Sequence, residues 1–136
     1  MNDILVDTSV WSLVLRRSNT EPNSYATELQ RLIADLKVVM IGPVRQELFS
    51  GIRHTQQYEK LRDRLRAFPD LALSSSDYEL AAEYFNICRS NGLQGSNTDF
   101  LICAVAVNHE LSIFTTDQDF DLFHQHLPIE IYAFTP

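Results

Sequence analysis

The chain has 136 residues, enough for one domain with a single buried core, and its 45% hydrophobic and 21% charged residues are typical of an ordinary globular protein. The longest apolar run, residues 100–107, is too short to span a membrane, and the N-terminus lacks the basic region of a signal peptide. The formal net charge of −7 argues against a protein that coats nucleic acid by bulk electrostatics. We therefore expect one ordered, cytoplasmic domain over residues 1–136.

Five short segments have the apolar, β-branched character of buried strands. They are residues 3–6, 37–42, 71–73, 111–116 and 129–134. Helical patterns separate them, and strands without a regular alternation of polar and apolar residues are typical of a parallel sheet that is covered on both faces. We therefore predict an α/β fold, a three-layer sandwich with a five-stranded, mainly parallel sheet.

Helical periodicity predicts four longer helices between these strands. Their predicted starts are Asn23 or Ser24, Pro43, Ser76 or Asp77, and Thr98, and their predicted ends lie near residues 36, 52, 91 and 110. Short helices are predicted after Ser9 and after Asp119, and loops over residues 16–24 and 90–97.

Positive charge is concentrated at Arg16 and Arg17 and in the stretch 51–68. The basic residues of the second stretch are Arg53, Lys60, Arg62, Arg64 and Arg66. They form either a solvated helix face or a surface that contacts phosphate groups, and the sequence leaves both interpretations open.

Four acidic residues stand where predicted strands end or predicted helices begin. Asp7 ends the first strand, Glu47 lies in the first turns of a helix, Asp99 opens another helix and Asp117 follows the fourth strand. In a parallel α/β sheet, the carboxyl ends of the strands and the amino ends of the helices share one edge, where ligands bind. We therefore expect these four carboxylates to lie toward the same edge.

The neighbours of Asp7 and Glu47 indicate how these two side chains are oriented. Glu47 shares a helix face with apolar residues at helical spacing, so we expect its carboxylate to point toward the covered side of the helix. Asp7 is followed by Thr8 and Ser9, whose hydroxyls can hold it in a tight turn.

Asp99 also has a purely structural interpretation. An acid in the first turn of a helix complements the positive end of the helix dipole, and Ser96, Asn97 or Thr98 can supply the N-cap. The sequence around Asp99 is thus compatible with a helix cap and with a functional acid.

A cluster of four carboxylates requires a compensating charge, because each negative charge raises the pKa of the others. Arginine and lysine are scarce near these positions in the sequence. Carboxylate and water oxygens suit Mg²⁺ or Mn²⁺, and two such ions about 4 Å apart can clamp a phosphodiester, activate water and stabilise the leaving oxygen. Since the ions would offset the negative charge, an acidic protein can still be a nuclease.

Four motifs, in order along the chain, resemble those of the PIN-domain ribonucleases. They are VDTSVW at residues 6–11, VRQEL at 44–48, NTDFLICAVA at 97–106 and FTTDQDF at 114–120. The size of the chain and its DTSVW start are similar to the VapC toxins of bacterial toxin–antitoxin modules. The resemblance covers the whole chain and implies a single PIN domain that acts as a metal-dependent endoribonuclease toxin.

The resemblance also implies roles for individual residues. The acids that match Mg²⁺ (or Mn²⁺) ligands are Asp7, Glu47, Asp99 and Asp117. Ser9 and Thr115 match positions that support the acidic site through hydroxyl hydrogen bonds. Asp119 matches a position that is sometimes acidic and can assist, but Asp117 follows the strand more closely and is the preferred ligand, and Asp121 is expected at the surface. The implied reaction is hydrolysis of an RNA phosphodiester by metal-activated water, which leaves 5′-phosphate and 3′-hydroxyl ends.

The resemblance further implies a homodimer and a cognate VapB-type antitoxin whose tail occupies the active-site groove. The helix after Ser9 is apolar on two sides, and Trp11 and Leu15 form the second side. That side either packs against a neighbouring helix or contacts a partner.

Other functional classes fit the sequence less well. Neither GxGxxG nor GxxxxGK[ST] occurs in a chain with four glycines, which argues against a nucleotide-binding fold of those types. A phosphatase of the haloacid-dehalogenase type would need a second Asp where Ser9 stands. His54, His109, His124 and His126 lack the spacing of metal ligands, and we expect Cys88 and Cys103 to be free thiols in the core. The remaining alternative is a PIN-like module that binds RNA or a protein without cutting it.

Overall fold

A computed structural model of the chain describes residues 3–15 and 23–134. Over these residues it contains the strands β1 (Ile4–Val6), β2 (Val38–Val39), β3 (Ser112–Phe114) and β4 (Glu130–Ile131). The helices of the same residues are α1 (Thr8–Leu15), α2 (Ser24–Ala34), α3 (Gly42–Phe49), α4 (Thr55–Leu65), α5 (Ser75–Ser90), α6 (Asn97–Asn108) and α7 (Asp119–His124). None of these helices has the length and apolar character needed to cross a membrane. Arg16, Arg17 and the predicted loop up to residue 22 lie outside the described residues.

The sheet has the order β2-β1-β3-β4, and all of its described pairings are parallel. The predicted α/β fold with a parallel sheet flanked by helices is therefore confirmed, but the prediction of a fifth strand at residues 71–73 is wrong. In its place the described residues contain a single bridge, between Met40 and the preceding residue Asp70, and the Leu71 N–H donates to the Met40 carbonyl at 2.8 Å. Pro69 precedes the bridge and has no N–H to donate, so the pairing does not extend into a ladder.

Side-chain caps set the starts of two helices. Asn23 Oδ1 accepts hydrogen bonds from the N–H groups of Tyr25 and Ala26 at 2.9 and 3.2 Å, so Asn23 is the N-cap of α2. The helix α5 begins slightly earlier than predicted, because Ser74 is its N-cap and the Asp77 carboxylate accepts the Ser74 N–H at 2.9 Å.

The helix α6 lies in the centre of the core. Its residues from Phe100 to Ala106 are all buried, because α6 packs against both α5 and β3. A helix that is apolar all round is stable only when it is covered in this way. The amino end of α6, where Asp99 stands, is therefore held in place by the core.

Trp11 belongs to the core and not to a partner surface. Its side chain is 2% exposed and meets the Phe68 ring edge to face, with the ring centroids 5.2 Å apart. The sequence left open whether Trp11 packs inside the chain or contacts a partner, and the structure shows that it packs inside the chain. Leu15, at the end of α1, is only half-buried and lines a cleft of about 670 Å³ between α1, α3 and α4.

The loop between α5 and α6 requires a glycine at position 95. A Cβ on Gly95 would lie 2.8 Å from Phe123 Cζ and 2.9 Å from Phe100 Cε2, closer than carbon atoms pack. Both rings are buried and have little room to move aside. The glycine therefore lets the loop approach the core directly before the amino end of α6.

Candidate functional site

Asp7 lies where β1 ends, beside the end of β3. In the parallel register Val6 pairs with Phe114, and the Asp7 N–H donates to the Phe114 carbonyl at 2.9 Å. The residues that follow the two strands, Asp7 and Thr115, therefore emerge side by side at the carboxyl edge of the sheet, which is where α/β proteins bind ligands.

Two hydroxyls hold the Asp7 carboxylate, which is 5% exposed. Ser9 Oγ and Thr115 Oγ1 donate to Asp7 Oδ2 at 2.7 and 2.8 Å. Each hydroxyl also accepts a backbone N–H: Thr116 donates to Ser9 at 3.1 Å, and Asp117 donates to Thr115 at 3.0 Å. The hydrogens of both hydroxyls are thereby directed at Asp7, whose Oδ1 has no hydrogen bond to the described residues.

Asp117 is the acid after β3 that joins this network. It is half-buried, and its Oδ1 accepts the backbone N–H of Asp119 at 2.9 Å, at the start of α7. The side chain of Asp119 itself is exposed, so Asp119 contributes through its backbone in this structure. Asp121 is exposed on α7.

Asp99 combines a helix cap with a place near two other acids. Its Oδ2 accepts the Ser96 N–H at 3.0 Å, and its own N–H donates to Ser96 Oγ at 3.1 Å, which forms a capping box. Burial raises the pKa of Asp99, the hydrogen bonds with Ser96 oppose this, and the negative charges of Asp7 and Asp117 raise it further. The cap therefore engages one carboxylate oxygen of Asp99, and the negative charges of Asp7 and Asp117 act on the Asp99 carboxylate as a whole. We call Asp7, Asp99 and Asp117 the acidic cluster.

Glu47 is oriented differently from the prediction. Its side chain is exposed, while Val44 and Leu48 on the same helix are buried, so the predicted orientation toward the covered side is wrong. Glu47 lies at the boundary of the buried stripe, and its Oε1 accepts the Thr8 hydroxyl at 2.6 Å. Thr8 thus binds Glu47, and not Asp7 as expected from the local sequence. No local pattern predicts this contact, because the two residues are 39 positions apart.

The acidic cluster suits a divalent cation that keeps part of its water shell. Within residues 3–15 and 23–134, no three or more His, Cys, Asp or Glu side chains converge closely enough to hold a metal ion by themselves. Mg²⁺ does not usually require such a cage, because it is bound through one or two carboxylates together with water and substrate oxygens. The carboxylates of the cluster are donors of this kind, so these residues fit Mg²⁺ or Mn²⁺ bound in part through water.

Cys103 follows Asp99 by one helical turn but adds no thiolate to the site. It is a buried free thiol, as is Cys88, which confirms that prediction. Burial and the nearby negative charges of Asp99 and Asp7 raise the pKa of Cys103, so its thiol stays protonated at neutral pH. Since only the thiolate is a strong nucleophile or metal ligand, the chemistry of this site is that of oxygen donors.

The cations of the stretch 51–68 lie on two different sides of α4, which itself carries Lys60, Arg62 and Arg64. Lys60 and Arg64, together with Arg53, line the cleft of about 670 Å³ between α1, α3 and α4. Arg62 and Arg66 line a second cleft, of about 580 Å³, between α3 and another face of α4. All five side chains are exposed.

A comparison with known protein families identifies the domain to which these elements belong. A model of the PIN domain matches residues 4–124, from β1 into α7. The chain belongs to the PIN domain family. The family resemblance of the four motifs is therefore confirmed, and the match includes every element that carries the acidic cluster and Glu47.

Known PIN-type proteins resemble this chain over almost their whole length. VapC ribonuclease Mb1587 of Mycobacterium bovis is 27% identical over 135 residues, which cover 96% of this chain and 98% of the relative. Ribonuclease VapC11 of Mycobacterium tuberculosis has the same identity and coverage. VapBC2 from Rickettsia felis, solved bound to a promoter DNA fragment, matches with a TM-score of 0.76 and 19% identity over 97% of this chain and 98% of that chain. FitAcB from Neisseria gonorrhoeae matches with a TM-score of 0.68 and 20% identity over 96% of each chain, and these structural likenesses show the fold.

Proposed function

We propose that this chain is a metal-dependent endoribonuclease of the VapC type, which hydrolyses RNA phosphodiester bonds and is neutralised by a cognate antitoxin. The observation that carries the proposal is the hydrogen-bonded network at the carboxyl edge of the sheet, where Ser9 and Thr115 donate to the buried Asp7 carboxylate and Thr115 also accepts the Asp117 N–H. The negative charges of Asp7 and Asp117 contribute to the raised pKa of Asp99, the third acid of the cluster. Mutual repulsion of carboxylates does not stabilise a fold, so we assign the cluster a role in binding a cation. The two curated relatives that are VapC ribonucleases support the reaction class.

The residues around the acidic cluster would hold its carboxylates in a fixed geometry. Ser9 and Thr115 direct their hydroxyl hydrogens at Asp7 Oδ2, and the backbone N–H groups of Ser96 and Asp119 bind Asp99 and Asp117. Hydrogen bonds that orient metal ligands are worth about 10- to 100-fold in metal affinity. Ser9 and Thr115 are therefore assigned positioning roles, and neither hydroxyl is needed as a nucleophile.

We assign Asp7, Asp99, Asp117 and Glu47 as the residues that would hold Mg²⁺ or Mn²⁺. When bound, such an ion supplies positive charge at the scissile phosphate and lowers the pKa of an attacking water. The carboxylate of Asp99 is a ligand only when ionised, so its raised pKa makes cation binding compete with protonation. Hydrolysis by water would leave a 5′-phosphate and a 3′-hydroxyl.

The proposed partners are an RNA substrate, a VapB-type antitoxin and a second copy of this chain. One structure similar to this chain is a toxin–antitoxin complex from Klebsiella pneumoniae, with a TM-score of 0.63, and this likeness supports an antitoxin here. We propose that the tail of the antitoxin occupies the groove at the acidic cluster. The homodimer is tested by light scattering of the purified chain, where a monomer mass over the working concentration range would contradict it.

Titration of Mn²⁺ into the metal-free protein tests the proposed function. We expect the wild type to bind Mn²⁺ and to cut a mixed RNA pool, and the Asp99→Asn variant to do neither. Asp121→Asn is the matched control, because Asp121 is an exposed acid on α7, and it should behave as the wild type. If wild type and Asp99→Asn titrate alike and neither cuts RNA, the chain is a PIN-like module that binds RNA or a protein without catalysis.

A further inference from the structure

Residues 42–66 form a positively charged segment in an acidic protein. They contain six of the 11 lysines and arginines but only three of the 18 acids, which leaves a local charge of +3 in a chain of net charge −7. This segment consists of α3, α4 and the connection between them. It is therefore the part of the described chain to which a polyanion is attracted most directly.

On one face of α4 the positive charge lies beside two aromatic rings. Phe49, at the end of α3, and Tyr58, in α4, have ring centroids 4.8 Å apart at an interplanar angle of 47°. Tyr58 is 40% exposed, although most large apolar side chains of the described residues are covered. These rings line the second cleft, of about 580 Å³, together with Arg62 and Arg66. We call this surface, with its neighbour Gln46, the aromatic cleft.

Arg62 and Arg66 are available to an anionic ligand. Their side chains are 44% and 68% exposed, and among the described residues each has only Asp63 as an ion-pair partner, at 3.9 Å. One exposed carboxylate at that distance binds two guanidinium groups weakly. Arg45, which also lines the cleft, is by contrast engaged with Asp70 at 2.9 Å.

The helix α3 connects the aromatic cleft to the candidate catalytic residues. Gln46 lines the cleft, and the next residue, Glu47, accepts the hydroxyl of Thr8, which directly follows Asp7. Successive residues of an α-helix point in directions about 100° apart. The cleft and the contact of Glu47 with Thr8 therefore lie on neighbouring faces of one short helix.

We propose that the aromatic cleft binds single-stranded RNA beside the scissile bond, with a base stacked on Tyr58 and Phe49 and neighbouring phosphates bound by Arg62 and Arg66. The proposal rests on the proposed ribonuclease function. Stacking on aromatic rings and cationic contacts to the backbone are the two means by which proteins hold single strands. The first cleft is lined by Arg53, His54, Lys60 and Arg64, has no Phe, Tyr or Trp among its described lining residues, and provides an internal comparison.

Fluorescence anisotropy with a labelled oligouridine in EDTA measures RNA binding without cleavage. The double variant Arg62→Gln/Arg66→Gln is expected to bind at least about tenfold more weakly. The slope of the logarithm of the binding constant against the logarithm of the salt concentration should become shallower by about 1.4, because two phosphate contacts are lost. The matched control, Arg53→Gln/Arg64→Gln, removes the same charge from the first cleft and is expected to stay within twofold of the wild type. Tyr58→Leu is expected to weaken binding about fivefold or more, and Tyr58→Phe to bind as the wild type, because the stacking ring is kept.

Several outcomes would overturn the proposal. Equal losses in the two double variants would show diffuse attraction to α4 and no defined cleft. Wild-type binding by Tyr58→Leu, together with displacement of the RNA by polyglutamate, would assign the cleft to an acidic protein partner. If the wild type cuts RNA while Arg62→Gln/Arg66→Gln binds normally, only this inference fails, whereas a wild type that neither binds nor cuts RNA contradicts the proposed function. Circular dichroism melting of each variant verifies that these exposed substitutions leave the fold unchanged.

Discussion

Thr115 Oγ1 donates a hydrogen bond to Asp7 Oδ2 at 2.8 Å, although 108 positions separate the two residues in the sequence. The contact exists because β1 and β3 are adjacent parallel strands with Val6 beside Phe114. The same hydroxyl accepts the Asp117 N–H at 3.0 Å. One side chain therefore orients two members of the acidic cluster.

Thr115→Val is expected to weaken Mn²⁺ binding by about 10- to 100-fold, because it removes the hydroxyl but keeps the size of the side chain. RNA cleavage should fall in parallel at Mn²⁺ concentrations below saturation. Isothermal titration and an RNA cleavage assay measure both effects. Thr116→Val is the control, since within the described residues Thr116 joins the network through its backbone N–H. Identical titrations of the two variants would contradict the positioning role of Thr115.

Asp99→Asn is expected to raise the melting temperature of the metal-free protein at pH 7. Burial and the charges of Asp7 and Asp117 raise the pKa of Asp99, so the folded chain binds this proton more tightly than the unfolded chain does. Ionised Asp99 therefore lowers the free energy of unfolding as pH rises through the raised pKa, and this cost is absent below the ordinary pKa of Asp, about 4. Asn keeps an oxygen that can accept the Ser96 N–H. Calorimetry in EDTA should show a higher melting temperature for Asp99→Asn than for the wild type at pH 7 and no difference near pH 4. A lower melting temperature of the variant at pH 7 would mean that the charged helix cap stabilises the fold more than repulsion and burial destabilise it.

Divalent metal binding is expected to weaken as the pH falls. The cation competes with a proton for the Asp99 carboxylate, and the raised pKa of Asp99 strengthens that competition. Titrations of Mn²⁺ in two buffers with different ionisation enthalpies give the number of protons released. The wild type should release protons at pH values just above the ordinary range of Asp ionisation. Proton release that is zero throughout that range would contradict ligation by Asp99.

Asp77→Asn is expected to lower the free energy of unfolding by about 1–3 kcal/mol at pH 7. Burial alone would raise the pKa of Asp77, but hydrogen bonds from Asn108 at 2.8 Å, from the Ser74 N–H at 2.9 Å and with His109 at 3.3 Å outweigh it and lower the pKa. The unfolded chain therefore binds this proton more tightly, and the stabilisation present above the ordinary pKa is lost as pH falls through the lowered one. Urea unfolding at pH 7 and in acid measures the difference, which should shrink in acid. Glu79→Gln, an exposed change on the same helix, should have little effect at either pH.

Gly95→Ala is expected to destabilise the chain by about 1–3 kcal/mol, because its Cβ would overpack against two buried rings. Gly42→Ala is the control, since a Cβ there would meet only Asp70 Oδ2, at an ordinary 3.9 Å. Urea unfolding of the two variants compares them directly. Equal free energies of unfolding for the two variants would show that the rings of Phe100 and Phe123 can move aside without destabilising the chain.

Capping and periodic patterns located much of the fold in advance. Asn23 and Ser96 cap the helices where local sequence permits it, and the loop at 90–97 separates α5 from α6 as predicted. The predictions from sequence were wrong where a segment's structure depends on pairing with residues distant in the chain. The segment 71–73 has strand-like residues, yet among the described residues the chain there forms only one isolated bridge, between Asp70 and Met40, which directly follows β2.

By itself, the sequence predicted the α/β class, the caps of α2 and α6 to within a few neighbouring residues, and the acids at strand and helix ends, because contacts within one or two turns depend on spacing along the chain. The tertiary structure alone decided that Thr8 binds Glu47 and that Trp11 is buried. It also identified Asp7 as the partner of Thr115, whose supporting hydroxyl the motif resemblance had implied. It also divided the cations of α4 between two clefts. Those contacts join residues far apart in sequence, so they depend on the strand order, the register and the packing of helices, which no local pattern specifies.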